Sequence, residues 1–173
     1  NAFCYESLVA SADDDYQWPV FDERTASSLC YTSGTTGNPK GVLFSHRSTV
    51  LHSYGICIPD GLGLCNLETI LPVVPMFHVN AWGIPYASSM CGAKMVMPGP
   101  QMDGASLYEL MESEGVTISA GVPTIWMMLL AYMKENNKKF SSMQRTVIGG
   151  AAEPRAMIET FEKKIWSQCG SCL

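Results

Sequence analysis

Leu29-Cys30-Tyr31-Thr32-Ser33-Gly34-Thr35-Thr36-Gly37-Asn38-Pro39-Lys40-Gly41-Val42 opens as an apolar, strand-like run. It passes through Ser, Thr and Gly only from Thr32 to Gly37, and a second apolar run begins at Val42-Leu43-Phe44. Gly34 and Gly37 let the main chain approach a ligand closely. Successive backbone N–H groups in such a loop form a concave anion site. Thr32, Ser33, Thr35 and Thr36 add hydroxyls, Pro39 stiffens the exit, and Lys40 brings a mobile positive charge. The composition suits a phosphate grip. The common nucleotide P-loop is excluded, because it requires Gly-Lys-Ser/Thr after a four-residue spacer, whereas Lys40 is followed by Gly41. The dinucleotide fingerprint fails too, since no Gly-x-Gly opens a helix here. A plain Ser/Gly linker is disfavoured by the strand-like runs that flank the loop on both sides.

Working outward, Leu29–Thr32 and Val42–Phe44 are predicted to be two short paired strands around the loop. Ser45 is placed to cap a helix over His46–Tyr54. Residues 1–28 form a lead-in, in which Trp18-Pro19 and Phe21 suit an extended segment packed beside the first strand. Asp13-Asp14-Asp15 reads as a solvated acidic turn, because a Ca²⁺ loop needs spaced ligands and a distal Glu.

Leu67–Val74 is strongly β-prone and reads as a buried strand that ends in Pro75-Met76-Phe77-His78. The carboxyl end of such a strand is where an open α/β sheet puts its ligand crevice. From Val79 to Cys91 the chain reads as an apolar helix closed by Gly92, with a kink or a late start at Pro85. Trp82 stands about one turn beyond His78. Core packing and the lining of an apolar tunnel suit it equally.

Further strands are predicted over Ala93–Met97, Val116–Ala120 and Arg145–Ile148. Helices are predicted over Gly104–Glu114, capped by Asp103 and ended by Gly115, and over Ile125–Lys134. Met127, Met128 and Met133 read first as adaptable core filler. Gly149-Gly150-Ala151 follows a strand and lets a flat ring lie against the backbone. Pro154 starts a last helix through Trp166. Strands alternating with helices over short turns predict an α/β domain, a mainly parallel sheet flanked by helices.

The chain has 173 residues, 47% hydrophobic and 16% charged, so a packed globular core is expected rather than disorder. The net charge of −5 argues against a nucleic-acid partner, which calls for a basic face. No apolar run reaches about twenty residues, so no transmembrane helix is predicted. The N-terminus lacks both an initiator Met and a basic leader, which reads as an internal piece of a longer protein. Seven cysteines, mostly within apolar runs, read as reduced thiols in a cytoplasmic protein or an organelle matrix. Cys169 and Cys172 have redox spacing but no strand-then-helix context, and read as incidental.

Tyr31-Thr-Ser-Gly-Thr-Thr-Gly-Asn-Pro-Lys-Gly-Val42 resembles the signature loop of the adenylate-forming (AMP-binding) enzymes, a superfamily of acyl-CoA synthetases, peptide-synthetase adenylation domains and beetle luciferases. Pro75-x-Phe77-His78 is similar to the second short motif of that family, and Gly149-Gly-Ala151 to the segment that borders adenine. Val74-Pro-Met-Phe-His-Val-Asn-Ala-Trp-Gly83, with Gly121-Val-Pro-Thr124, resembles the medium- and long-chain fatty acyl-CoA synthetase branch.

The resemblance implies part of the N-terminal domain of such an enzyme, with ATP, Mg²⁺ and CoA as cofactors and co-substrates and a fatty acid as substrate. It implies a phosphate site at Thr32, Ser33, Gly34, Thr35, Thr36, Gly37 and Lys40, with Thr35 toward the metal, and an adenine border at Gly149, Gly150 and Ala151. The catalytic candidates are Lys40 and His78, the latter beside the acyl carboxylate. His78, Val79, Trp82 and Gly121 are the candidates for binding the acyl substrate. A homodimer is allowed.

The likeness runs from about Trp18 to Lys164, giving a motif-bearing region over residues 29–166 and a divergent tail over 167–173. After Trp166 the family continues to a Tyr-Gly-x-Thr-Glu motif, whereas this chain reads Ser167-Gln-Cys-Gly-Ser-Cys-Leu173. The ribose-binding Asp and the mobile domain with its catalytic Lys are absent as well. The isolated chain is therefore expected to be inactive in adenylation. The alternatives are a ligase for another acid (aryl-CoA or luciferase-like) and a non-catalytic nucleotide-binding fragment.

Overall fold

The structure is a computed structural model that describes residues 3–32, 37–150, 159 and 161. It builds two sheets. Strands β1 (Ala26–Thr32) and β2 (Lys40–Ser45) form an antiparallel hairpin, in register from Leu29 opposite Leu43 to Thr32 opposite Lys40. The Ser/Thr/Gly stretch is thus the hairpin's connection. The second sheet is fully parallel, in the order β4-β3-β5-β6, made of β3 (Thr69–Val73), β4 (Lys94–Met95), β5 (Ile118–Gly121) and β6 (Arg145–Ile148).

Alternation along β3 sets the two layers, since successive side chains leave a strand on opposite faces. Leu71 and Val73 point to one face, where helices α5 (Gly104–Glu114) and α6 (Pro123–Glu135) bury Leu107, Met111, Trp126 and Leu129. Ile70 and Val74 point to the other. There α2 (His46–Cys57) and α4 (Ile84–Cys91) pack on each other and bury Ile56, Ile84 and Ala87. Burial, and then the neighbouring Cys91, pushes the Cys57 thiol up in this layer, as suits a reduced cysteine.

Local chemistry sets the boundaries. Ser45 caps α2 in a reciprocal box with Ser48, each side chain accepting from the other's backbone N–H at 3.2 and 3.1 Å. Gly92 and Gly115 end α4 and α5 at φ +76° and +65°, where a side chain would be strained. Asp103 accepts from the backbone N–H groups of Ala105 and Ser106 at 3.1 and 3.0 Å. The Ser106 amide, and then its hydroxyl, hold the Asp103 carboxyl below its ordinary range. A carboxylate lowered by folding stabilises above its unfolded pKa and loses that contribution as pH falls through the folded one. Asp103→Ala should therefore lower the urea midpoint at neutral pH, and the gap to the parent chain should close on acidification below about pH 4. A gap unchanged at low pH would contradict this cap.

At the amino ends of the strands, Arg145 pairs with the mostly buried Glu68, which accepts from the Thr117 hydroxyl. Arg145 also donates to the Leu62 carbonyl at 2.8 Å. This network closes the end of the sheet opposite the site.

The structure departs from the sequence reading in several places. Of the three methionines expected as core filler only Met133 is buried, while Met127 and Met128 are exposed on the outer face of α6. A short helix, α1 (Tyr5–Ala10), interrupts the lead-in without burying any residue. Trp18 stays exposed and meets the neighbouring Tyr16 ring, whereas Phe21 reaches the domain, its ring 4.6 Å from the His46 ring at the start of α2. Most consequentially, the single helix expected over Val79–Cys91 is two elements. Val79–Trp82, α3, turns in the left-handed sense, and α4 starts at Ile84 with Pro85 in its first turn. The final helix to Trp166 and the Cys169/Cys172 pair lie outside the described residues, apart from helical Glu159 and Phe161.

Candidate functional site

The topology locates a crevice before any side chain is considered. The chain leaves β3 toward β4 on one side and leaves β5 toward β6 on the other, while β3 and β5 are neighbours. Connections that diverge from adjacent parallel strands open a gap beyond their carboxyl ends, where open α/β sheets bind ligands. Pro75–His78 emerges from β3 at this point, Gly121 ends β5, and Gly149 follows β6.

His78 is exposed, and its amide donates to the Pro75 carbonyl at 3.0 Å, which fixes the bend out of β3. The next four residues have φ of +48°, +51°, +50° and +57°, although none is glycine. Each such residue costs roughly 1–2 kcal/mol, so surrounding contacts must impose the turn. Asn80 donates from Nδ2 to Ser28 Oγ at 2.8 Å, and its Oδ1 accepts from the Cys30 thiol at 3.4 Å. Ala81 is fully buried. The Trp82 carbonyl is 3.0 Å from His52 Nε2 of α2. Gly83 follows at φ +72°, and a Cβ there would come within 2.5 Å of the His52 ring, so only glycine fits against it.

The turn throws the half-buried Trp82 indole over Gly149, where a Cβ would stand 2.9 Å from the ring. Gly149 N–H donates to the Gly121 carbonyl at 3.3 Å, which also accepts from Trp126 Nε1 at 3.3 Å. His78, Trp82, Gly121 and Gly149 therefore share the carboxyl end of one sheet. Gly121 is buried beneath Trp126, so its backbone rather than an open face is what it offers. Gly150 follows at φ +89° beside Val122.

On the hairpin, Thr32 and Lys40 face each other at the mouth of the loop, with the Thr32 hydroxyl donating to the Lys40 carbonyl at 3.4 Å. Both are exposed, as is Gly37, which sits at φ +150° with open space around it. Ser33, Gly34, Thr35, Thr36 and Ala151 lie outside the described residues. Among the described residues, no three His, Cys, Asp or Glu side chains group to hold a metal.

A half-open cleft of about 280 Å³ runs between β2, α2, the left-handed turn and α4. Phe44, Val79 and Tyr86 give it apolar walls, and Ser48, Thr49, His52 and Asn80 give it polar ones. Among the described residues, Val79 is the only one of the sequence-derived set in its lining. Sequence reasoning missed His52, Asn80, Tyr86 and Ser28. For His52 a signal existed: Ser45, Ser48, Thr49 and His52 recur at helical spacing and make one polar stripe. For Asn80 there was only its tolerance of left-handed backbone.

An antiparallel hairpin beside a parallel α/β sheet, with a crevice at the strand switch, defines a ligand-binding α/β architecture. The chain belongs to the AMP-binding enzyme family, which it matches over residues 4–170. It is 61% identical over 157 residues, 91% of its length, to a medium-chain-fatty-acid–CoA ligase of Ectopseudomonas oleovorans. It is 58% identical over 160 residues to a 3-methylmercaptopropionyl-CoA ligase of Ruegeria lacuscaerulensis, and 48% identical over 159 to a long-chain-fatty-acid–CoA ligase of Thermus thermophilus. The chain covers 29%, 30% and 29% of those three proteins. In structure it resembles the N-terminal domain of FACL13 from Mycobacterium tuberculosis, with a TM-score of 0.77 and 27% identity over 91% of this chain and 39% of that one. Among the described residues no helix is long and apolar enough to cross a membrane.

Proposed function

We propose that this chain is the phosphate- and acyl-side portion of a ligase that activates a fatty acid with ATP and passes it to CoA. The observation that carries this is the 61% identity to a medium-chain ligase over nearly the whole chain. In the first step, an oxygen of the fatty carboxylate attacks the α-phosphorus of ATP. Acyl-AMP forms and pyrophosphate leaves. In the second, the CoA thiol attacks the acyl carbon and AMP departs.

Little covalent chemistry falls to the protein in the first step. Positioning and neutralisation of phosphate charge dominate. The hairpin connection from Thr32 to Lys40 grips the β- and γ-phosphates, Lys40 supplying the positive charge. His78 stands beside the carboxylate, and Gly149 to Ala151 border adenine. Val79 faces the apolar-walled cleft, which takes the acyl chain, while Trp82 and the Gly121 backbone form the floor between cleft and nucleotide. Mg²⁺ accompanies the nucleotide. The described residues offer no cluster of His, Cys, Asp or Glu side chains to hold it. The compartment is proposed to be cytoplasmic.

The 58% identity to a 3-methylmercaptopropionyl-CoA ligase favours a second reading, a short thioether acid as substrate. The longer protein that contains this chain should be assayed for CoA-thioester formation with straight-chain acids from butyrate to palmitate, with benzoate, and with 3-methylmercaptopropionate. The highest kcat/KM is expected with a medium or long straight chain. Preference for 3-methylmercaptopropionate would select the second reading, and preference for benzoate would overturn both.

A further inference from the structure

We infer that Asn80 is a positioning residue that locks the left-handed turn Val79–Trp82 to strand β1, and so registers the His78/Trp82 end of the sheet with the phosphate-loop hairpin. This deepens the function proposed above and rests on it for its kinetic consequence. The two substructures have no shared strand, because β1 and β2 pair only with each other and the four parallel strands only among themselves. Something other than sheet hydrogen bonds must set their distance if a carboxylate on one is to meet the α-phosphate of a nucleotide whose β- and γ-phosphates the other grips.

Asn80 is placed to do this. It is the second residue after His78, and both ends of its amide are engaged by β1: Nδ2–H donates to Ser28 Oγ at 2.8 Å and Oδ1 accepts from the buried Cys30 thiol at 3.4 Å. Ser28 and Cys30 lie on the strand that runs directly into Thr32 and the loop. The turn that presents Asn80 is itself an arrangement L-residues avoid, with φ near +50° at Val79, Asn80 and Ala81 and +57° at Trp82. An ordinary right-handed helix from Val79 would carry the amide off β1. The turn is anchored at its far end by His52 against the Trp82 carbonyl, so it is held from both the hairpin and α2. A misplacement of about 1 Å between reacting groups costs on the order of 10²-fold in rate, which is the scale such a tie controls.

The test uses the intact ligase containing this chain, with Asn80→Ala, Asn80→Asp, Ser28→Ala and the Asn80→Ala/Ser28→Ala pair. Two readouts are taken, acyl-AMP formation kinetics and hydrogen exchange of peptides spanning residues 78–84. Asn80→Ala is expected to lower kcat by about 10²-fold with KM for ATP little changed, and to speed exchange across the turn by on the order of 10-fold. Peptides of α5 should remain as protected as in the parent. Asn80→Asp keeps an oxygen for the Cys30 thiol and a partner for the Ser28 hydroxyl, and should recover part of the rate. The double substitution should be no worse than Asn80→Ala alone.

Unchanged exchange across 78–84 in Asn80→Ala would overturn the inference, as would strictly additive effects of the two substitutions. A general loss of protection that includes α5 would also overturn it, since that marks a merely structural residue. If the unsubstituted protein forms no acyl-AMP with any acid, the functional proposal fails, while the exchange comparison still decides the role of Asn80.

Discussion

Trp126→Ala is expected to destabilise the chain by about 3–5 kcal/mol, the range for deleting a large aromatic side chain from a packed core. Trp126 is fully buried on the α5/α6 face of the sheet. Its ring meets Phe161 edge-on, with centroids 5.6 Å apart at 83°. Its indole N–H donates to the Gly121 carbonyl at 3.3 Å. Truncation removes the packing and that hydrogen bond, and leaves a cavity beneath the carboxyl end of β5. Domains of this size are stable by only about 5–15 kcal/mol, so a large share of the total would be lost. Urea unfolding measures it, with Met127→Ala as control: Met127 is the next residue on α6 but 51% exposed, and its substitution should cost under about 0.5 kcal/mol. A loss below about 1 kcal/mol for Trp126→Ala would mean that the core closes over the gap far better than its packing implies.

Gly149→Val is expected to act on the reaction rather than on the fold. A Cβ at this position would stand 2.9 Å from Trp82 Cη2 and 3.2 Å from Cζ2, so the indole must move. It cannot move freely, because the turn that carries it is tied through Asn80 to β1 and through the Trp82 carbonyl to His52. The strain falls on the junction between the proposed adenine border and the proposed acyl side. In the intact ligase, acyl-AMP formation should drop by about 10²-fold, in line with a displacement near 1 Å. A smaller side chain should relieve the clash, so Gly149→Val/Trp82→Leu should regain much of the rate while changing preference among acid lengths. Unchanged kinetics in Gly149→Val would show that Trp82 and Gly149 do not meet in the working enzyme.

Much of the architecture was legible because it depends on neighbours in sequence. The Ser/Thr/Gly stretch between two β-prone runs becomes a hairpin connection, since strands separated by so few residues can pair only antiparallel. Asp103 and Gly115 bound α5 where expected, because a cap is a contract among residues within a few positions. The strand Arg145–Ile148 was placed to the residue. Helix α2 runs three residues past its expected end at Tyr54, carried to Cys57 by Ile56, which packs on Ile84 and Ala87 of the same layer. Tertiary burial, not local propensity, supports that last turn.

By itself the sequence determined the parallel α/β class and most of the element order, which rest on composition and short-range spacing, and the family, which rests on the resemblance of its motifs. Tertiary structure alone decided how Val79–Trp82 is wound. Val-Asn-Ala-Trp carries no helix breaker before Gly83, and its local preference is right-handed. The left-handed turn exists because residues distant in sequence, Ser28, Cys30, His52 and Gly149, each take one of its groups or leave room for it. Contacts across tens of residues outweigh a local backbone preference only when several act on the same short segment, and no pattern along the chain announces such a convergence.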